Sequence, residues 1–175
     1  FGGTSSGTFT APKGDSGLAS NLLGGLSNSF FTFGSPATSA GYTKPNSLTF
    51  SGKDFLSVAP DQLFELGTLT YYNGSTYSGT NAVSVQLEVS LNLTTPGVVE
   101  TLPFSFSLLS TTNKGVDPDA DADYVYIPKV STKFNTIIKG QVFYLVLSFG
   151  SNSTNGFTTI DEFHIFENTT GYGEL

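Results

Sequence analysis

Four aspartates stand at alternate positions in one short run: Asp117, Asp119, Asp121 and Asp123. On an extended strand alternate side chains share a face, so four carboxylates there would repel one another. A loop that coils them around a hard cation removes that repulsion, and calcium takes roughly six to eight oxygen ligands. An EF-hand is excluded, because alanine replaces its turn glycine and no Glu stands at its twelfth position. Two readings of the run stay open: a calcium loop with these four residues as ligands, and an acidic loop held in solvent.

Other chemistry is thinly supplied. His164 is the only histidine, and no Gly-x-Ser-x-Gly elbow accompanies it. On a strand it shares a face with Glu162 and Phe166, which predicts a polar cross-strand role. Glu65, Glu88, Glu100 and Glu162 could in principle pair as glycosidase carboxylates. Clefts of that kind usually also carry Trp and Arg, and the chain has neither. No catalytic residue is expected, and the chain reads as a non-enzyme. Tyr71, Tyr72 and Tyr77 could stack on a sugar as glycan contacts. Four Asn-x-Ser/Thr sequons, at Asn73, Asn92, Asn152 and Asn168, are candidate glycosylation sites.

The bulk properties narrow the partners. The chain has 175 residues, 38% of them hydrophobic and 12% charged, a balance that fits a single folded domain rather than a disordered chain. Seven Lys, no Arg and a net charge of −7 exclude a nucleic-acid binder, whose affinity comes from cations on phosphates. No apolar run approaches the length of a membrane helix, so membrane insertion is not expected. Without cysteine there is no disulfide framework and no thiolate site. The chain contains no Met and starts at Phe1, which predicts a removed N-terminal leader and an extracellular or cell-surface location.

These residues must be positioned by strands. Val83, Val85, Leu87, Val89, Leu91 and Leu93 alternate with polar residues, the period-two signature of a strand with one dry face. Leu102, Phe104, Phe106 and Leu108 repeat it. Phe143, Leu145, Leu147 and Phe149 do so again, with Tyr144 and Val146 making the second face apolar, as in a central strand. Turn pairs such as Asn73-Gly74, Pro96-Gly97 and Asn155-Gly156 separate the runs. The expected fold is all-β, a two-sheet antiparallel sandwich of jelly-roll or immunoglobulin-like type over residues 30–175. Residues 1–29, rich in Gly, Ser and Thr, predict a flexible N-terminal arm. The sharper reading of that arm is a donor strand built on Thr8, Phe9, Thr10 and Ala11, added to a neighbouring subunit.

Some segments are similar to a known family. Asn46–Gly52 and Phe64-Glu-Leu-Gly-Thr-Leu-Thr-Tyr-Tyr-Asn-Gly-Ser75 resemble the choice-of-anchor K domain of exported, often cyanobacterial, proteins. Thr112-Asn113, Ala122–Val125, Gly140–Gly150, Phe157 and Glu162 follow in the same order. The resemblance covers roughly residues 40–172. It implies a secreted, mostly β domain with a variable anchor and brings no catalytic residues to transfer.

The expected function is a non-catalytic structural protein of the cell surface or extracellular matrix, self-associating into filaments by N-terminal strand donation. Calcium is the only cofactor suggested. The alternative is a carbohydrate-binding or adhesion module with a polysaccharide partner.

Overall fold

A computed structural model describes residues 1–14, 20–24, 28–94, 97–115, 117–127, 133–138, 140–151, 157–159 and 161–175. Among them the chain forms β1 (Gly3–Gly14), β2 (Ser20–Gly24), β3 (Asn28–Phe33), β4 (Asn46–Gly52), β5 (Asp54–Phe55), β6 (Gly67–Tyr72), β7 (Ala82–Leu93) and β8 (Val98–Leu109). The second half adds β9 (Asp123–Tyr126), β10 (Lys133–Ile138), β11 (Gln141–Val146), β12 (Gly150–Ser151), β13 (Phe157–Thr159), β14 (Glu162–Ile165) and β15 (Thr170–Glu174). One turn of 3-10 helix, Thr38–Ala40, is the only helical element among the described residues, and no helix there is long and apolar enough to cross a membrane.

All of these strands but β10 and β11 form two antiparallel sheets, a β-sandwich. One sheet has the order β13-β14-β9-β8-β7-β1-β5 and the other β12-β15-β6-β4-β3-β2. The alternation read from sequence sets which side chains enter the layer between them. Val85, Leu87, Val89 and Leu91 of β7 and Leu102, Phe104, Phe106 and Leu108 of β8 are buried, while their polar alternates face out. From the opposite sheet come Phe31, Phe33, Leu48, Phe50, Leu69 and Tyr71. Full burial of one such side chain contributes about 1.5–3 kcal/mol. The phenylalanines therefore carry much of the hydrophobic stabilisation.

Residues 1–29 do not form an arm separate from a sandwich over 30–175. β1 pairs with β7 from Gly3↔Leu93 to Thr10↔Gln86 and lies between β7 and β5. β2 and β3 belong to the opposite sheet. The composition concealed β1 because its inward residues are small: Gly3, Ser5 and Gly7 precede Phe9 on the buried face. Small residues are required there. A Cβ at Gly7 would overlap the Phe50 ring, and one at Gly67 would come within 2.6 Å of the same ring. Phe50 thus sits between two glycines contributed by opposite sheets. At Thr10–Lys13 the β1–β7 register shifts, with Ala11 at a φ of 47°. Beyond this bulge the phase of β7 changes, so Ala82 is buried and Val83 is exposed.

The expectation of a central strand at Val142–Phe149 is also corrected. Among the described residues β11 pairs only with β10, in a two-stranded ribbon that joins neither sheet. One face, with Phe143 and Leu145, is half-buried, whereas Val142, Tyr144 and Val146 on the other are exposed.

Candidate functional site

The aspartate run lies in the connection from β8 to β9, and its four carboxylates do different things. Asp123, the first residue of β9, is buried and its Oδ1 accepts the Thr111 N–H at 2.7 Å. Asp121, also buried, accepts from the Lys114 N–H at 2.8 Å and the Gly115 N–H at 2.6 Å. These two carboxylates brace the loop from inside by capping its backbone donors. Asp117 accepts the Asp119 N–H at 3.0 Å, and Asp119 is exposed. The Asp119 carbonyl and carboxylate lie 3.2 and 3.4 Å from Nε2 of His164. His164 itself stacks on its cross-strand neighbour Tyr124 at 4.5 Å, an aromatic contact where a polar one was expected. The described residues hold no group of three or more acidic or histidine side chains arranged to take a metal ion.

Burial has an electrostatic cost at Asp123. Desolvation pushes its carboxyl up to about 7, and the negative field of Glu167 adds to the rise. Hydrogen bonds from Thr111 and Ser110 pull in the opposite direction without cancelling it.

The three tyrosines do not share a surface. Tyr71 is enclosed in the core, stacked parallel to Phe33 at 6.4 Å, and cannot reach a glycan. Its burial raises its hydroxyl pKa well above 10. Tyr72 faces the other side of β6, with Lys44 Nζ 5.7 Å from its ring centre. Tyr77 is exposed in the loop from β6 to β7. Its hydroxyl accepts the Ser39 N–H at 3.1 Å and donates to Ser39 Oγ at 2.9 Å. Hydrogen bonding from Ser39 lowers its pKa to about 8.

Tyr77 and two of the aspartates, Asp121 and Asp123, are far apart in sequence and come together in the fold. At one end of the sandwich the loops around residues 37–42, 75–81, 110–121 and 166–167 enclose a groove of about 770 Å³. Tyr42, Tyr77, Asn81, Asp121, Asp123 and Glu167 are among its walls. A buried amide frame holds these loops. Asn46 donates to Asn81 Oδ1 at 3.3 Å and accepts the Gly74 N–H at 2.7 Å, while Thr76 donates to the same Asn81 oxygen at 2.9 Å. Asn73 donates to the Ile165 carbonyl at 2.8 Å, and the Ser75 hydroxyl donates to Glu167. Tyr42, Asn81 and Glu167 were not anticipated. Only the density of Asn, Ser and Thr around Asn73-Gly74 hinted at a polar frame.

The frame also bears on the sequons. Asn73 is fully buried with its side-chain nitrogen engaged, so it is closed to glycosylation in the folded chain. Asn92 and Asn168 are exposed, and Asn152 lies outside the described residues. Of the glutamates weighed as glycosidase carboxylates, Glu65 pairs with Lys53, Glu88 accepts from Thr10 at 3.4 Å, and Glu100 and Glu162 stand on β8 and β14.

No protein-family model matches the chain, and none of the curated proteins matches it. The likeness to the choice-of-anchor K domain therefore stands on the residues quoted for it.

Proposed function

We propose that this chain is a non-catalytic structural subunit of the cell surface or extracellular matrix, and that it assembles by exchanging β1 between copies. One observation carries the reading: a strand at the chain's N-terminal end fills a ten-pair ladder against β7 with little of its own apolar surface. Its buried side is Gly3, Ser5, Gly7 and Phe9. Main-chain hydrogen bonds dominate its attachment, and these are the same whichever copy supplies the strand. Exchange of an identical element is a low-cost route to assembly, because it creates few new contacts and loses few. The slot cannot stay empty, since β7 would then present a long open edge beside Leu87 and Leu91. Calcium in the β8–β9 loop is not required by this reading.

The absence of natural cysteine gives a direct test. Thr8 and Glu88 face each other in the β1–β7 ladder, close enough for a disulfide if both become cysteine. The double variant Thr8→Cys, Glu88→Cys, refolded at rising concentration and oxidised, is expected to give a ladder of covalent oligomers on a non-reducing gel. Monomers alone at every concentration would refute strand exchange.

A further inference from the structure

The groove at the loop end of the sandwich has no part in strand exchange, and its chemistry points to a ligand. We propose that it binds a neutral saccharide, with Tyr77 as the stacking platform and the groove's carboxylates and amides as partners for sugar hydroxyls. The volume of about 770 Å³ falls within the range of small-ligand sites.

Three features converge. Tyr77 is solvent-facing yet held at its hydroxyl by both the backbone and the side chain of Ser39, thirty-eight positions away in sequence. An exposed ring fixed in this way loses little freedom when a flat apolar face is laid on it. Tyr42, equally exposed, lines the same groove. Next, Glu167 supplies a carboxylate acceptor, Asn113 an amide that both donates and accepts, and Asn81 its amide donors, its oxygen being held by Asn46 and Thr76. A pyranose offers the complement: hydroxyl donors around its rim and an apolar C–H face. Finally, the amide frame of Asn46, Asn81 and Thr76 holds these walls by hydrogen bonds within the chain itself, which lowers the cost of binding.

Charge removes the main competitors. Carboxyl groups line the groove and no lysine does so among the described residues, so a uronate, a sulfated glycan or a phosphate finds no cation there to pair with. A metal ion is a poor match, because both oxygens of Asp121 and one of Asp123 already accept backbone N–H groups. A basic peptide would satisfy the charge as well, and the cationic probe below separates that case from a neutral sugar.

The test is titration of the whole chain, by NMR or calorimetry, with three tetrasaccharide sets. These are neutral gluco- and manno-oligosaccharides, chitosan as the cationic probe and oligouronate as the anionic one. Binding of at least one neutral set is expected, with the oligouronate inert. Tyr77→Ala should weaken binding by about tenfold or more. Asn113→Arg, an exposed change in the groove wall, should block it while leaving the melting curve unchanged. Tyr144→Ala, on the distant ribbon, should leave binding intact. Binding of chitosan alone would replace the proposal with a cation site. No binding by any set, or neutral binding untouched by both Tyr77→Ala and Asn113→Arg, would overturn it.

Discussion

A carboxyl raised to about 7 in the folded chain makes stability depend on pH, and Asp123 is that group. Its usual value is 3.8, so between roughly pH 4 and pH 7 the folded state holds a proton that the unfolded state has released. Stability is therefore greatest below this window and falls as pH rises through it, levelling off above about 7. At about 1.4 kcal/mol per unit the loss could reach about 4 kcal/mol, an upper figure. Asp123→Asn keeps an oxygen for the Thr111 N–H and removes the charge. Urea denaturation from pH 4 to pH 8 should give a falling stability for the native chain and a flatter line for the variant; equal slopes would remove Asp123 as the cause. Sequence alone exposed the aspartate run but not this division of labour. Alternation suggested that the four carboxylates were equivalent, whereas the loop buries Asp121 and Asp123 against N–H groups that only tertiary folding brings near. Tyr71 and Tyr72 show the same limit. They are adjacent in sequence, and the strand's period sends one into the core and the other outward.

At the level of elements, legibility followed side-chain size. β7 and β8 were readable because large apolar residues mark their buried faces. β1 was not, because its buried face is marked by glycine and serine, the residues that also signal a linker. The ribbon of β10 and β11 failed in the opposite way: β-branched and aromatic residues on both faces of β11 suggested a central strand, yet one face is open. That asymmetry is measurable. Leu147, just past β11, is buried, so Leu147→Ala should cost about 2–5 kcal/mol. Val146 is 64% exposed, and Val146→Thr should change stability by no more than about 0.5 kcal/mol. Chemical denaturation of the two variants decides it. A large loss from Val146→Thr would mean that the outer face of the ribbon is covered after all, by another part of the chain or by a neighbouring copy.

On the scale of the whole molecule, charge opposes the assembly by strand exchange proposed above. Each copy carries a net charge of −7, and low lysine content leaves little to offset it at a shared surface. Exchanging β1 replaces intramolecular contacts with equivalent intermolecular ones, so the balance between monomer and polymer is set by small terms: chain entropy, protein concentration and repulsion between neighbours. Repulsion is the one a solvent can tune. The screening length falls from about 30 Å at 0.01 M salt to about 10 Å at 0.1 M, which brings it below the dimensions of a domain this size. Chains refolded at one fixed concentration should therefore remain monomeric at the lower ionic strength and form larger species at the higher, as followed by light scattering after size-exclusion chromatography. Native monomers shifted to high salt should convert slowly, because β1 must first leave a ladder of ten residue pairs and withdraw Phe9 from the core. Refolding in high salt bypasses that step and should polymerise faster. If association instead weakens with salt, opposite charges must meet across the interface. If refolded and native samples convert at the same rate, release of β1 does not limit assembly, and the joining surface lies elsewhere on the sandwich.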